Sequence, residues 1–248
     1  MSPRLSFNTF AIDDADAVDA VQLVREAGFD AVGLSAGHAA DLTPEALDGL
    51  SVTGVFVAFV EDDTDVAPLM DQAHANFGAP LTILPAASAW ADMADVFAML
   101  ERALDRSAHG RVLLEPLHPS LAPVSRLTSF AETAQGLAAF EARRPDLVGR
   151  IGLVLDIVHV PPEDLLALSD KTIARIEVVH LADYKGTFSS CDPNLRLPLG
   201  RGDLPVKSLL DYLVRCGFNG AWECETIAPL GSAHDTVARN AAGVRQFL

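Results

Sequence analysis

Four residues of this chain, Glu115, Asp156, His180 and Glu225, carry the side chains best suited to holding a divalent cation against a carbonyl compound. Each closes a short apolar run: RVLLEPL around Glu115, IGLVLDIV around Asp156, IEVVHLAD around His180 and AWECET around Glu225. An apolar run such as Ile151 to Leu155 predicts a strand covered on both faces, and a carboxylate at its end is costly unless paired or metal-bound. Three carboxylates and an imidazole converging on one place would repel one another, and a divalent cation between them removes that cost. The oxygen-rich set points to Mn²⁺ first and Mg²⁺ next, and the histidine also admits Co²⁺, Fe²⁺ or Zn²⁺. Glu223 shares a strand face with Glu225 and is expected beside it as a supporting group rather than a ligand. A single strand-end acid ordinarily caps a helix or meets a rim lysine; what singles these residues out is their succession on four consecutive strands.

The elements that must position them alternate eight times. The predicted strands are Leu5 to Phe10, Asp30 to Ser35, Val52 to Phe59, Leu81 to Pro85, Arg111 to Leu117, Ile151 to Val158, Arg175 to Leu181 and Ala221 to Thr226. Between and after them, amphipathic or Ala-rich stretches predict helices at Asp13 to Ala27, Thr43 to Leu50, Asp65 to Phe77, Met93 to Arg106, Ser129 to Arg143, Pro162 to Leu168, Val206 to Cys216 and His234 to Phe247. Gly28 and Gly78 stand where helix stops are wanted, and Pro44 follows the cap residue Thr43. Eight β-then-α units predict an α/β fold, a (β/α)8 TIM barrel filling residues 1–248 as a single domain, because parallel strands need helical crossovers and closure removes both sheet edges. An open doubly wound sheet is the competitor, but no strand is followed by a G-x-G-x-x-G or G-x-x-x-x-G-K-[ST] turn. In such a barrel the catalytic groups stand at the C-terminal strand ends, where the four residues fall.

Composition narrows the function classes. The chain has 248 residues, 50% hydrophobic and 21% charged, as an ordered globular protein requires. Its net charge of −16 repels phosphate backbones, so nucleic acid is not an expected partner. Cys191, Cys216 and Cys224 are far apart, which fits reduced thiols. No apolar leader or transmembrane-length run is present, and a cytoplasmic protein without a membrane partner is expected. Ala-rich outer helices allow a homodimer.

The segments LLEPLHP, LVLDIVH, VVHLAD, RLPLGRGD and GFNGAWECE, in that order, resemble the xylose isomerase-like barrel superfamily, in particular its sugar phosphate isomerase/epimerase group with ketose 3-epimerases and hydroxypyruvate isomerase. The resemblance runs from about Arg111 to Thr226 and is weaker through the first four strands, where GFDAVGLS agrees. It implies that Glu115, Asp156, His180 and Glu225 are the metal ligands, that Glu115 and Glu225 also form the acid/base pair, that His159 contacts substrate oxygens, and that Arg196 holds a substrate hydroxyl or its distal end. Beside it, His118 is read as orienting Glu115 or reaching the pocket or, equally, as a structural loop residue, Trp90 as a residue that could stack on a sugar face or pack in the core, Asp183 as a support for His180 or a direct ligand, and Arg201 and Asp203 as a pair or a helix cap. Two departures stand out: the segment from His180 to Arg196 is long, with Lys185, Phe188 and Cys191 on it, and strands three and four carry no histidine or glutamate, leaving Glu61 or Trp90 as the nearest substitutes.

The expected function is that of a metal-dependent sugar or keto-polyol isomerase/epimerase acting on a small-molecule carbohydrate through proton abstraction beside a carbonyl and an enediolate. A metal-dependent lyase or deglycosylating enzyme on 3-oxo-sugars uses the same start and ends in elimination. A non-catalytic sugar-binding subunit and a DNA-repair endonuclease of the same superfamily are the other readings, the last opposed by the charge.

Overall fold

In the computed structural model, which describes residues 4–227 and 230–248, the inward-facing side chains of the strands fall into layers, and these layers decide where the polar groups stand. Eight parallel strands close in chain order, β1 (Arg4–Asn8), β2 (Ala31–Ser35), β3 (Ser51–Val60), β4 (Leu81–Pro85), β5 (Val112–Leu114), β6 (Ile151–Asp156), β7 (Ile176–Leu181) and β8 (Ala221–Cys224), with β8 pairing back onto β1. The chain is thus a single-domain (β/α)8 barrel. Side chains alternate along a strand, so one set faces the barrel axis and the other faces the helices. Leu113, Val154, Val178 and Ala221 form an enclosed apolar cluster of their own, apart from the main core. Two residues further along the same strands come Glu115, Asp156, His180 and Glu223. The apolar layer is therefore the floor of the polar one.

The outward set packs on the helices. Leu114, Leu153, Leu155, Val179 and Trp222 are all buried in the main core, together with apolar faces of α1 (Ala17–Glu26), α3 (Val66–Phe77), α4 (Met93–Arg106) and α5 (Phe130–Arg143). Side-chain caps start these helices: Asp16 on α1, Asp65 on α3, Asp92 on α4 and Ser129 on α5 accept hydrogen bonds from backbone N–H groups of the first turn. Gly78 ends α3 at φ +64, a conformation that glycine adopts without a Cβ penalty. The last crossover helices, α8 (Val206–Arg215) and α9 (Ala233–Val244), flank β8, and α9 opens with a Ser232–Asp235 capping box. Among the described residues, no helix is long and apolar enough to cross a membrane.

Several predicted boundaries move. The first strand stops at Asn8, whose side chain accepts from the Phe10 N–H and turns the chain into a 3-10 helix over Thr9–Ile12. A short helix not foreseen, α2 (Ala36–Asp41), follows β2 because the Ser35 hydroxyl caps it through the His38 N–H, and the predicted helix at Thr43 to Leu50 contracts to a 3-10 turn, Pro44–Leu47. Pro162 to Leu168 becomes two single-turn helices, α6 (Pro162–Leu165) and α7 (Asp170–Ile173), the second capped by Ser169. Glu115 and Glu225 stand one residue past β5 and β8 rather than inside them. Truncating the floor, Leu113→Ala, is expected to lower unfolding free energy by about 2–5 kcal/mol in urea titrations, because a fully buried side chain enclosed on all sides leaves a cavity that cannot collapse.

Candidate functional site

At the C-terminal mouth of the barrel, Glu115, Asp156, His180 and Glu225 each offer one ligand atom, and these atoms lie within 4.8 Å of one another. The strand register sets this up: Asp156 pairs with His180, and His180 with Glu223, across adjacent strands. His180 lies at the centre, with Nδ1 3.0 Å from Glu115 Oε1 and 3.2 Å from Glu225 Oε2, and Nε2 3.2 Å from Glu223 Oε1. Arg196, on the long segment after β7, enters from above. Its Nη1 lies 2.6 Å from Asp156 Oδ2 and also meets Glu225 Oε2. Its Nη2 donates to His159 Nε2 at 2.9 Å.

All of these side chains are buried, so the charges govern one another. Burial pushes the Glu115 carboxyl up to about 7, against the pull of His180. Burial also acts to raise Glu225, but His180 and Arg196 outweigh it and hold its carboxyl well below the usual carboxylate range. For His180 burial favours the neutral form, yet Glu225 and Glu115 reverse that and raise it. His159 is lowered to about 4 by burial. An arginine can only donate, so His159 Nε2 accepts and the proton of the neutral ring sits on Nδ1, which has no partner among the described residues.

Four buried carboxylates (Glu115, Asp156, Glu223, Glu225) thus face one guanidinium and, when protonated, one imidazolium. With the imidazole neutral, as a metal ligand must be, three negative charges are left over, and one divalent cation would balance two of them. Among the described residues Glu115 Oε2 makes no hydrogen bond, and Asp156 Oδ2 meets Arg196 by distance alone, without hydrogen-bond geometry. Two carboxylate oxygens without a hydrogen bond, in a buried cluster of O and N donors, fit a cation of the Mn²⁺, Mg²⁺ or Zn²⁺ kind.

Glu223, which touches His180, is otherwise occupied by groups outside the four. It accepts from Ser6 Oγ (2.7 Å), from Asn8 Nδ2 (3.2 Å) and from Thr53 Oγ1, while Asn8 Nδ2 also reaches Glu225 Oε1 at 3.2 Å. A Cβ on Gly33 would run into the Glu223 carboxylate, which explains the glycine in β2. Ser6, Asn8 and Thr53 were not foreseen as site residues; the alternation of Ser6 and Asn8 in LSFN was the available signal.

Other expectations are corrected. Asp183 does not support His180: it accepts from the N–H groups of Tyr184 (2.9 Å), Gly200 (3.1 Å), Gly202 (2.8 Å) and Leu204 (3.1 Å), and its backbone exchanges hydrogen bonds with Leu197. It therefore ties down the loop that carries Arg196. Asp203 pairs with Lys185 and the Gly186 N–H, not with Arg201. His118 does not reach the cavity: Nδ1 accepts from the Ser120 N–H, so Nε2 carries the proton and donates to the Phe188 carbonyl at 3.2 Å, with the Phe188 ring 4.3 Å away centroid to centroid. Trp90 packs in the main core with its indole N–H on the Val60 carbonyl (3.2 Å) and is not a wall of the cavity, because its large apolar body is better satisfied there. Glu61 is exposed beside Ser88. His159, Arg196, Glu115 and Glu225 do line one cavity of about 350 Å³ at the mouth.

A closed barrel with its polar cluster at the C-terminal mouth defines a class, and a family model settles which. The chain belongs to the xylose isomerase-like TIM barrel family, whose model matches residues 3–246. Among solved structures, the IOLI protein with a bound zinc atom is similar at 16% identity and TM-score 0.77, over 99% of both chains. A protein from Sinorhizobium meliloti 1021 gives 19% and 0.76 over 98% of both, and the 3-keto-D-glucoside 4-epimerase YcjR from E. coli gives 15% and 0.72 over 99% of this chain and 100% of that one. At these identities the likeness is one of fold. No curated protein sequence matches significantly.

Because Glu115 must be ionised to ligate and is held near 7, and His180 must be neutral but is raised, cation binding should expel protons. Titration calorimetry with Mn²⁺ in buffers of different ionisation enthalpy is expected to show proton release near neutral pH. Affinity should weaken about tenfold per pH unit as pH falls below 7, for each proton displaced. A flat affinity between about pH 5.5 and 8 would contradict the cluster's role.

Proposed function

We propose that the protein is a divalent-metal-dependent isomerase or epimerase acting on a small keto-sugar or related α-hydroxy carbonyl compound. The observation that carries this reading is the buried set Glu115, Asp156, His180 and Glu225, its ligand atoms within 4.8 Å of one another and two of its members, Glu115 and Glu225, lining the mouth cavity. In this reading the four residues hold one divalent ion, Mn²⁺ in the first instance. When bound, such an ion stabilises negative charge developing on a carbonyl oxygen as the neighbouring C–H is deprotonated.

The chain's own groups supply the rest. Without the ion, Glu115 and Glu225 are two carboxyls whose surroundings drive them apart. With it both are carboxylates, and they form the acid/base pair of this reading, one taking the proton from carbon while the other, protonated from solvent, returns one. The unpartnered Nδ1–H of His159 is a free donor for a substrate oxygen. Arg196, anchored by its Nε on the Pro193 carbonyl at 3.1 Å, steadies Glu225 and presents its guanidinium to a hydroxyl.

Incubation with Mn²⁺ in D₂O, over a panel of ketoses, cyclic inosose-like ketones and 3-oxo-glycosides, is expected to give a product of unchanged skeleton with deuterium on the carbon beside the carbonyl. Glu115→Gln and Glu225→Gln should each slow the exchange by at least about 10²-fold while the circular dichroism spectrum is kept. Cleavage products in place of an isomer would make the reaction an elimination. Full activity in both variants would leave a sugar-binding protein.

A further inference from the structure

The two halves of the mouth cavity differ in kind. Glu115, His159, Arg196 and Glu225 stand on one side, contributed by or beside β5 to β8. The rest of the wall, from β3 and β4 and from the segments that follow β1 and β5, includes Phe10, Phe56, Leu84, Leu117 and Leu121. These five form a hydrophobic cluster of their own, separate from the core between strands and helices. Phe10 and Phe56 meet edge to face, their centroids 5.6 Å apart at 63°.

The strand beneath this wall is distorted where it lines the cavity. The β3–β4 register shifts between Val57 and Val60, and Phe59, inside that shift, lies at φ +55 with 43% of its surface exposed. A bulky residue in the left-handed region is strained and persists where surrounding structure holds it, most often beside a ligand. Here the strain keeps one more aromatic ring at the cavity's rim.

We infer that the substrate is an α-hydroxy carbonyl compound bearing an aryl group, the carbonyl end against Glu115, His159, Arg196 and Glu225 and the ring against Phe10, Phe56 and Leu84. An open-chain polyol would leave hydroxyls against a wall that offers them no partner, which is heavily disfavoured once water is displaced. A ring would instead complete the edge-to-face set that Phe10 and Phe56 begin. A volume of about 350 Å³ suits a small molecule and is too small for a peptide segment. This inference rests on the proton-transfer reading for the carbonyl end, and the apolar half stands on its own observations.

The test is titration calorimetry of the Mn²⁺-loaded protein with 1-hydroxy-3-phenylpropan-2-one, dihydroxyacetone and D-fructose, alongside deuterium uptake by each in D₂O. The aryl ketone is expected to bind at least about tenfold more tightly than dihydroxyacetone, a preference that one well-filled apolar contact supplies. Leu84→Asn, and separately Phe10→Ala in case the first variant misfolds, should each reduce that preference at least fivefold, a size in keeping with loss of one apolar contact. Equal or tighter binding of dihydroxyacetone or fructose, no binding of the aryl ketone, or a preference untouched by both variants overturns the inference. Tight aryl-ketone binding without deuterium uptake by any probe upholds the apolar half and overturns the proton-transfer reading. Uptake on fructose with no aryl preference does the reverse. A self-association that Leu84→Asn abolishes, with no aryl-ketone binding, would make the wall an interface between copies and overturn it as well.

Discussion

The structure turns on a charge imbalance. Glu115, Asp156, Glu223 and Glu225 are buried at one end of the barrel against a single guanidinium, Arg196, and two imidazoles, of which burial keeps His159 neutral. Removing a carboxylate from water is expensive, and an unpaired one in the interior relaxes by taking up a proton, as the raised Glu115 shows. Evolution of a stable fold alone would fill these positions with apolar residues like those one layer below, Leu113, Val154, Val178 and Ala221. That the layer changes character in two residues along four adjacent strands is the mark of a site.

Much of the surrounding structure keeps this cluster in place. Ser6, Asn8 and Thr53 occupy the oxygens of Glu223 and leave it a support for His180 and Glu225. Gly33 leaves the room that the Glu223 carboxylate fills. On the open side, Asp183 gathers four backbone N–H groups of the segment that returns over the mouth, and so fixes where Arg196 descends. His118 tethers the same segment from the β5 side through the Phe188 carbonyl. The Arg196 guanidinium touches Asp156 and Glu225 together, so the loop that shapes the cavity is electrostatically part of the cluster.

The legible part of this in the sequence was periodic. Eight apolar runs alternating with amphipathic ones give the barrel, and an acid or histidine two residues beyond an inward apolar residue gives Glu115, Asp156 and His180 on successive strands. The illegible part was non-local. Nothing within DYKGTFSSCDPNLRLPLGRGD announces that Asp183 binds the N–H groups of Gly200 to Leu204, because a returning loop has no period and its register is set by backbone hydrogen bonds. Single polar residues such as Ser6 and Thr53 read like ordinary strand residues until the barrel closes and brings Glu223 to them. Trp90 stayed open between two readings for the converse reason: an aromatic after a strand suits either a sugar face or the core, and only packing decides. Strand ends moved because the ladder stops where the barrel mouth opens, so Glu115 and Glu225 emerge past it.

The central claim is that the leftover negative charge of this cluster is there to be met by one divalent cation. Elemental analysis of protein purified without chelator, compared with Asp156→Ala, tests it most directly. The account predicts about one equivalent of a divalent metal per chain in the native protein and loss of most of it in the variant, since one of four ligands is gone and Arg196 loses its partner. Unchanged metal content in Asp156→Ala, or a native protein that binds no Mn²⁺, Zn²⁺ or Mg²⁺ at any pH above 7, would contradict it.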